Sequence, residues 1–292
     1  MIKNKFEKKS GIKPVKETSI NKKFEKKFLD NLFARVEKYR SSDKSFYALR
    51  LLERLLFKFP LNPKAYEKIG LCEIDLGDSL GALRSFLTAN FLDPKNLDVK
   101  AHCAACFLMI GAKDKSLKFI NEILSVEKHH FMGKMLLGRY YEISGNYQKA
   151  LKELQTIENQ NDHANFPQLL GLIGVCWMAQ QNPQKAFEYL ENALSLDPEN
   201  VDALFHKAVC HGQLNEIDDA LSEIEKVIKI DPNYPEALAF SALYLFLKGQ
   251  KNQAVARIEK AFEKDPQSET IKTIREEIFS TKTTQVKSLE IF

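Results

Sequence analysis

Pro198, Pro232 and Pro266 fall at equal steps of 34 along the chain, and the surroundings of the first two repeat with them: "SLDPENVDALF" (195–205) returns as "KIDPNYPEALAF" (229–240). Pro94 and Pro60 lie upstream, 34 apart and offset by two from that series. A period of this length describes one small supersecondary unit used many times. Such a unit cannot bury its own apolar face, so its neighbours must stack on it. Counting from the third residue after each proline gives 29–62, 63–96, 97–130, 131–166, 167–200, 201–234 and 235–268. The fourth unit is two residues longer than the others, and the seven run without a gap from 29 to 268.

The aligned columns say what the unit is. Its eighth position holds Val36, Gly70, Ala104, Gly138, Gly174, Ala208 and Ala242. The twentieth holds Ala48, Ala82, Ser116, Ala150, Ala186, Ala220 and Ala254, and the twenty-fourth is always large and apolar: Leu52, Phe86, Ile120, Leu154, Leu190, Ile224 and Ile258. Two helices whose backbones approach closely need a small residue on each. Between them come turns such as "LGD" (76–78), "SGN" (144–146) and "QNP" (181–183), the last with Asn182 to cap and Pro183 to begin the second helix. Each unit therefore reads as a helical hairpin. After the last, Ile271, Ile274 and Ile278 mark an amphipathic helix over 269–279 that closes the stack, followed by a loose tail at 280–292.

This small–small–large–proline pattern resembles the tetratricopeptide repeat (TPR) family, most closely in units 167–200, 201–234 and 235–268. Unit 29–62 departs from it with Val36 and a glycine-free turn, unit 97–130 has Lys128 for the closing proline, and unit 131–166 has Asp162 there. The resemblance covers over four-fifths of the chain. It implies an all-α, right-handed α-solenoid of seven tandem TPR hairpins plus a C-terminal capping helix, whose first helices line a concave groove for partner segments.

Composition narrows the class further. The chain is 44% apolar, with only 12 Gly and 10 Pro, which argues against a loop-rich β fold. No run of about 18 apolar residues suggests a membrane span. Residues 1–28 carry ten Lys against three Glu, a charge of +7, while the chain as a whole is +4, so the remainder is −3. The basicity belongs to a Lys-rich arm that turns helical around Ile20–Phe28. The arm lacks an apolar signal core, and five cysteines without such a signal suit a reducing compartment, so the expected location is cytoplasmic.

The stretch "AHCAACF" (101–107) sets His102 beside a Cys-x-x-Cys pair, the spelling of a metal clip or redox centre. Yet Cys106 shares the tenth position with Cys72, Cys176 and Cys210, and Cys103 falls where Ile69, Leu137 and Ile173 stand in other units. Free cysteine at small helix positions is a packing choice. A metal needs about four converging ligands, and no second pair is present. No metal and no cofactor is expected. A phosphate loop and a nucleophile elbow are also missing, and His211 shares a position with Phe107, Tyr141 and Trp177, which reads as packing. The chain is expected not to be an enzyme.

By the resemblance, positions two, five, nine, twelve and thirteen face the groove. Four methionines, Met109, Met132, Met135 and Met178, all fall on them, and methionine suits surfaces that adapt to apolar partners. Ala105, Leu108, Val175, Phe205, Val209, Leu243 and Phe246 share that surface, with Arg139 and Glu142 as orienting polar groups. The Lys–Asn pairs of chaperone-tail clamps are missing at these positions. The expected function is a protein–protein interaction scaffold or adaptor, of chaperone or assembly-factor type, that holds a partner's apolar or amphipathic segment. One alternative is that the methionines merely fill gaps in a tightly wound interior, and a second is a groove filled by the chain's own "SLEIF" (288–292). A third is an accessory subunit recruited to nucleic acid or an anionic membrane through residues 1–28.

Overall fold

The computed structural model describes residues 19–158 and 166–280, and every regular element among them is helical. The Lys-rich residues 1–18, the insertion at 159–165 and the tail at 281–292, including "SLEIF", lie outside the described residues. The fold divides into two compact units, one ending at Ala112 and one beginning at Lys113.

In the first unit α1 (Ser19–Arg40) packs with α2 (Ser45–Lys58), α3 (Pro63–Asp75) packs with α4 (Ser79–Leu92), and α5 (Leu97–Met109) packs on α4. In the second, α6 (Lys113–Val126) packs on α7 (Phe131–Ile143), and three hairpins follow. They pair α7 with α8 (Tyr147–Glu158), α9 (Pro167–Ala179) with α10 (Pro183–Leu196), and α11 (Val201–Gln213) with α12 (Ile217–Ile230). The pair α13 (Pro235–Leu247) and α14 (Lys251–Lys264) comes last, and α15 (Glu269–Phe279) packs against both of them. The boundary between the compact units falls in the turn between α5 and α6, inside the segment 97–130 that the period treats as one hairpin.

The columns explain why the helices pair. All the residues at the eighth, twentieth and twenty-fourth positions are buried. A Cβ on Gly70 would come within 2.7 Å of the Phe86 ring, one on Gly138 within 2.4 Å of Leu154 Cδ2, and one on Gly174 within 2.9 Å of Leu190 Cγ. The missing side chain is the space the large residue occupies. Where the small residue is alanine instead, as at Ala208 and Ala242, the large one is β-branched, Ile224 and Ile258. Val36 opposite Leu52, in the first hairpin, departs from this matching.

The turns within hairpins share one backbone device. Asp43, Gly77, Gly111, Gly145, Gln181, Asn215 and Gly249 all occupy the fifteenth position, and all have left-handed φ between 55° and 80°. Each ends its helix with the paired hydrogen bonds of a Schellman motif. At Gly77, for example, its own N–H donates to the Ile74 carbonyl at 2.9 Å, and the Asp78 N–H donates to the Glu73 carbonyl at 2.8 Å. The next residue then begins the following helix: Asp78, Asn146 and Asn182 accept from the N–H groups of Gly81, Lys149 and Lys185. Among these seven positions Gln181 is the side chain least suited to left-handed backbone, whose cost to an ordinary residue is about 1–2 kcal/mol. Gln181→Gly is therefore expected to raise stability by about 0.5–1 kcal/mol after the added entropy of unfolded glycine is subtracted. A thermal melt checks this, and an unchanged or lower midpoint would refute it.

Candidate functional site

In the second unit the first helices of successive hairpins, α7, α9, α11 and α13, touch one another in order and form one continuous layer, the inner one in the solenoid that the resemblance implies. Caps fix where these helices start. The His130 ring accepts from Gly133 N–H at 3.2 Å ahead of α7, and Asn200 accepts from Ala203 N–H at 3.0 Å ahead of α11. Pro167 and Pro235 occupy the first turns of α9 and α13.

On α7, Met132 and Met135 are half-buried, and Met135 packs on the core formed by α8 and α9. Arg139 holds its side chain 52% exposed and lies 3.6 Å from Glu142, whose own side chain is largely covered. Burial pushes the Glu142 carboxyl above its ordinary range, with Arg139 and Lys113 acting in the opposite sense. Its Oε2 is buried without a hydrogen-bond partner. On α9, Val175 and Met178 are half-buried, and Trp177 lies beside Lys185, whose Nζ sits 4.3 Å from the ring centroid.

Further along, the expected groove residues sit deeper. Phe205 and Val209 on α11 are buried in the core, Leu243 on α13 is fully buried, and only Phe246 is half-exposed. The reason lies in α13, which is flanked by α11, α12, α14 and α15 and is buried continuously from Ala237 to Leu245. Its Tyr244 is fully buried, with the hydroxyl donating to the Ala208 carbonyl at 3.2 Å. Leu243 consequently offers no surface to a partner. His206 lies beside Phe205, and burial holds it near neutrality down to about pH 4, with Nδ1 lacking a hydrogen-bond partner.

In the first unit Ala105 is half-buried and Leu108 buried, while Met109 at the end of α5 is 60% exposed. "AHCAACF" turns its thiols inward. Cys103 and Cys106 are both buried, which pushes their pKa up to about 12 and about 11. Cys72, Cys176 and Cys210 are likewise buried, at about 11, 12 and 12. Thiols held protonated by desolvation are poor nucleophiles and poor ligands. His102 stacks on the Phe86 ring at 4.8 Å, and burial lowers its pKa.

The inner edge of this unit is ionic instead. Arg40 grips Asp75 through two hydrogen bonds of 2.8 and 3.0 Å, Ser45 donates to the same carboxylate at 2.7 Å, and Glu37 pairs with Lys68 at 2.6 Å. Burial alone would raise Asp75, but Arg40 and Ser45 hold its carboxyl below the usual range. This contribution to stability is present above the ordinary carboxylate pKa and is lost as pH falls through the folded value.

His211 meets Phe187 edge-on at 4.9 Å, and its Nδ1 lies 2.6 Å from Glu216 Oε2. With Asp219 these form the one group of three metal-capable side chains found among the described residues, and both carboxylates are exposed. No helix among the described residues is long and apolar enough to cross a membrane.

Comparison with known proteins places these elements. A family model described as "Tetratricopeptide repeat" matches residues 178–244, a span that includes Met178, Phe205, Val209 and Leu243. The BBSome complex member BBS4 of Bos taurus is 23% identical over 177 residues, which is 60% of this chain and 33% of that protein. The chain thus matches only about a third of the length of this curated relative. Among solved structures, the APC/C hetero-tetramer Cut9-Hcn1 superposes with a TM-score of 0.73 at 17% identity, covering 84% of this chain and 48% of that one. A tetratricopeptide repeat protein from Parabacteroides merdae gives 0.62 at 17% identity over 86% of this chain and 98% of its own. The fold class is the all-α solenoid of stacked helical hairpins.

Proposed function

We propose that this chain, whose residues 178–244 match the tetratricopeptide repeat, works as an interaction scaffold, holding an apolar or amphipathic segment of a partner on the inner face of α7, α9 and α11. The observation that carries this reading is the composition of that face around Arg139. The helices α7 and α9 carry half-buried methionines at 132, 135 and 178 together with an exposed guanidinium and a buried carboxylate oxygen that has no hydrogen bond. An incoming peptide can supply the missing N–H to Glu142 while its apolar side chains settle among thioethers that readily change shape. Membership of a relative in a multi-protein complex supports the same role, that of a subunit which binds other subunits. Binding, with no chemical step, accounts for these residues.

The test begins with crosslinking mass spectrometry of the tagged protein from its host, which names the partner segment. Arg139→Glu is then expected to weaken binding of that segment about tenfold, equivalent to about 1.4 kcal/mol. The melting temperature should fall slightly, because a second carboxylate then stands beside the covered Glu142, so affinities are compared at a temperature where both chains are folded. Full retention of affinity, or crosslinks that avoid α7 and α9 altogether, would remove the inner face from consideration.

A further inference from the structure

The outer faces of the second helices are not alike. On α2, Ala48, Leu52 and Leu55 turn inward, which leaves Phe46, Arg50, Glu53 and Phe57 as the outward stripe at i, i+4, i+7 and i+11. On α4 the positions one repeat further on are Leu80, Arg84, Leu87 and Phe91, again outward. Phe57 is 95% and Phe91 83% exposed, so two phenyl rings one repeat apart stand in solvent at the same point of their helices.

The later helices do not share this. Where α2 and α4 have Phe46 and Leu80, the others carry Asp114, Gln148, Gln184, Asp218 and Asn252. Where they have Phe57 and Phe91, α6, α10, α12 and α14 carry Ser125, Ser195, Lys229 and Glu263. At these positions the described later helices are polar, although Val126, Leu196 and Ile230, one residue past the Phe57 position, are 74%, 45% and 45% exposed. Scattered exposed apolar residues need no explanation, but two aligned stripes do.

Charge identifies the occupant. The two helices hold Arg50, Arg54, Lys58 and Arg84 against a single anion, Glu53. Arg50 pairs with Glu53 at 3.2 Å and lies 5.3 Å from the centre of the Phe46 ring, Arg84 acts electrostatically on Glu73 of α3, and Arg54 has no ion pair among the described residues. The chain's own Lys-rich residues 1–18, with six Lys against two Glu, would be repelled, and so would Lys282 and Lys287 of the tail. A second copy docked by the same stripe would set arginine against arginine. The arginines stand within the apolar rows, between Phe46 and Phe57 and between Leu80 and Leu87, rather than around a rim. That placement suits a helix with alternating apolar and acidic residues better than a lipid surface.

We infer that the outer face of α2 and α4 is a second docking surface, built for an acidic amphipathic helix of a partner protein. It is separate from the inner face and does not depend on the role assigned there.

The test uses the full chain and two labelled synthetic helical peptides with leucine at i, i+4, i+7 and i+11, one flanked by glutamate and the other by lysine. Vesicles of phosphatidylcholine with phosphatidylserine form a third arm. The glutamate peptide should bind saturably and at least tenfold more tightly than the lysine peptide. Phe57→Ser with Phe91→Ser should weaken it at least tenfold with an unchanged melting curve, since both rings are in solvent. Arg50→Glu with Arg84→Glu should reverse the peptide preference, while Arg139→Glu should leave it intact. Equal binding of the two peptides, no saturable binding, wild-type affinity in the double phenylalanine variant, or vesicle binding lost in that variant would each overturn the proposal.

Discussion

Gly138→Val is expected to lower the stability of the protein by about 3 kcal/mol, at the upper end of what overpacking a core costs. The added Cβ alone would stand 2.4 Å from Leu154 Cδ2 and 2.6 Å from Cγ, inside a hairpin where both residues are buried. Alanine at this site sets two effects against each other. Removing glycine from a helix interior gains about 1 kcal/mol in propensity, while the clash costs about 1–3 kcal/mol, so a net loss of about 1 kcal/mol is expected. The telling variant is the pair. Gly138→Ala together with Leu154→Ile reproduces the alanine–isoleucine matching of Ala208 with Ile224 and Ala242 with Ile258, and should recover at least half of the loss. Urea denaturation of the four chains measures the coupling. Equal losses from Gly138→Ala in the leucine and isoleucine backgrounds would show that the matching has no energetic meaning.

Ile274→Asp is expected to cost about 4 kcal/mol or more, because it places an unpaired charge against a closed apolar surface. Ile271, Ile274 and Ile278 are fully buried where α15 packs on α13 and α14, in the same core as Tyr244 and Phe240. Truncation to alanine at the same site should cost about 3 kcal/mol, within the range for a buried isoleucine. The two substitutions differ in a second readout. The aspartate should loosen the last helix and expose the α13–α14 surface, so the chain should associate on size exclusion as concentration rises, whereas the alanine variant should stay monodisperse. A monodisperse aspartate variant with a wild-type melting curve would mean that α15 does not seal the stack.

The pairing of helices was legible in the sequence because its determinant is side-chain volume at fixed positions. Gly70 with Phe86, or Gly174 with Leu190, can be read directly from the eighth and twenty-fourth letters of a unit. The left-handed turn position was harder to see. Four of its residues are glycine, but Asp43, Gln181 and Asn215 hide the column, since backbone chirality is not written in residue type. For the inner face the sequence supplied the helical face but not the depth. Arg139 is exposed and Met178 half-buried, whereas Leu243, on a helix flanked by α11, α12, α14 and α15, is fully buried. The aromatic stripe on α2 and α4 was present in the letters all along. It emerges once burial separates the outward positions from the core positions beside them.

One consequence follows from the residues that finish one helix and start the next. Asp78, Asn146 and Asn182 each donate a backbone N–H to the helix behind and accept with a side-chain oxygen from the helix ahead. Neither helix of such a pair can fray at this junction without loosening the other. The molecule's grain is therefore the pair and not the single helix, and its contacts are chiefly between near neighbours in the chain. A polymer organised this way pays little loop-closure entropy to find its structure. It can lengthen or shorten by whole pairs while the remaining joints keep their geometry.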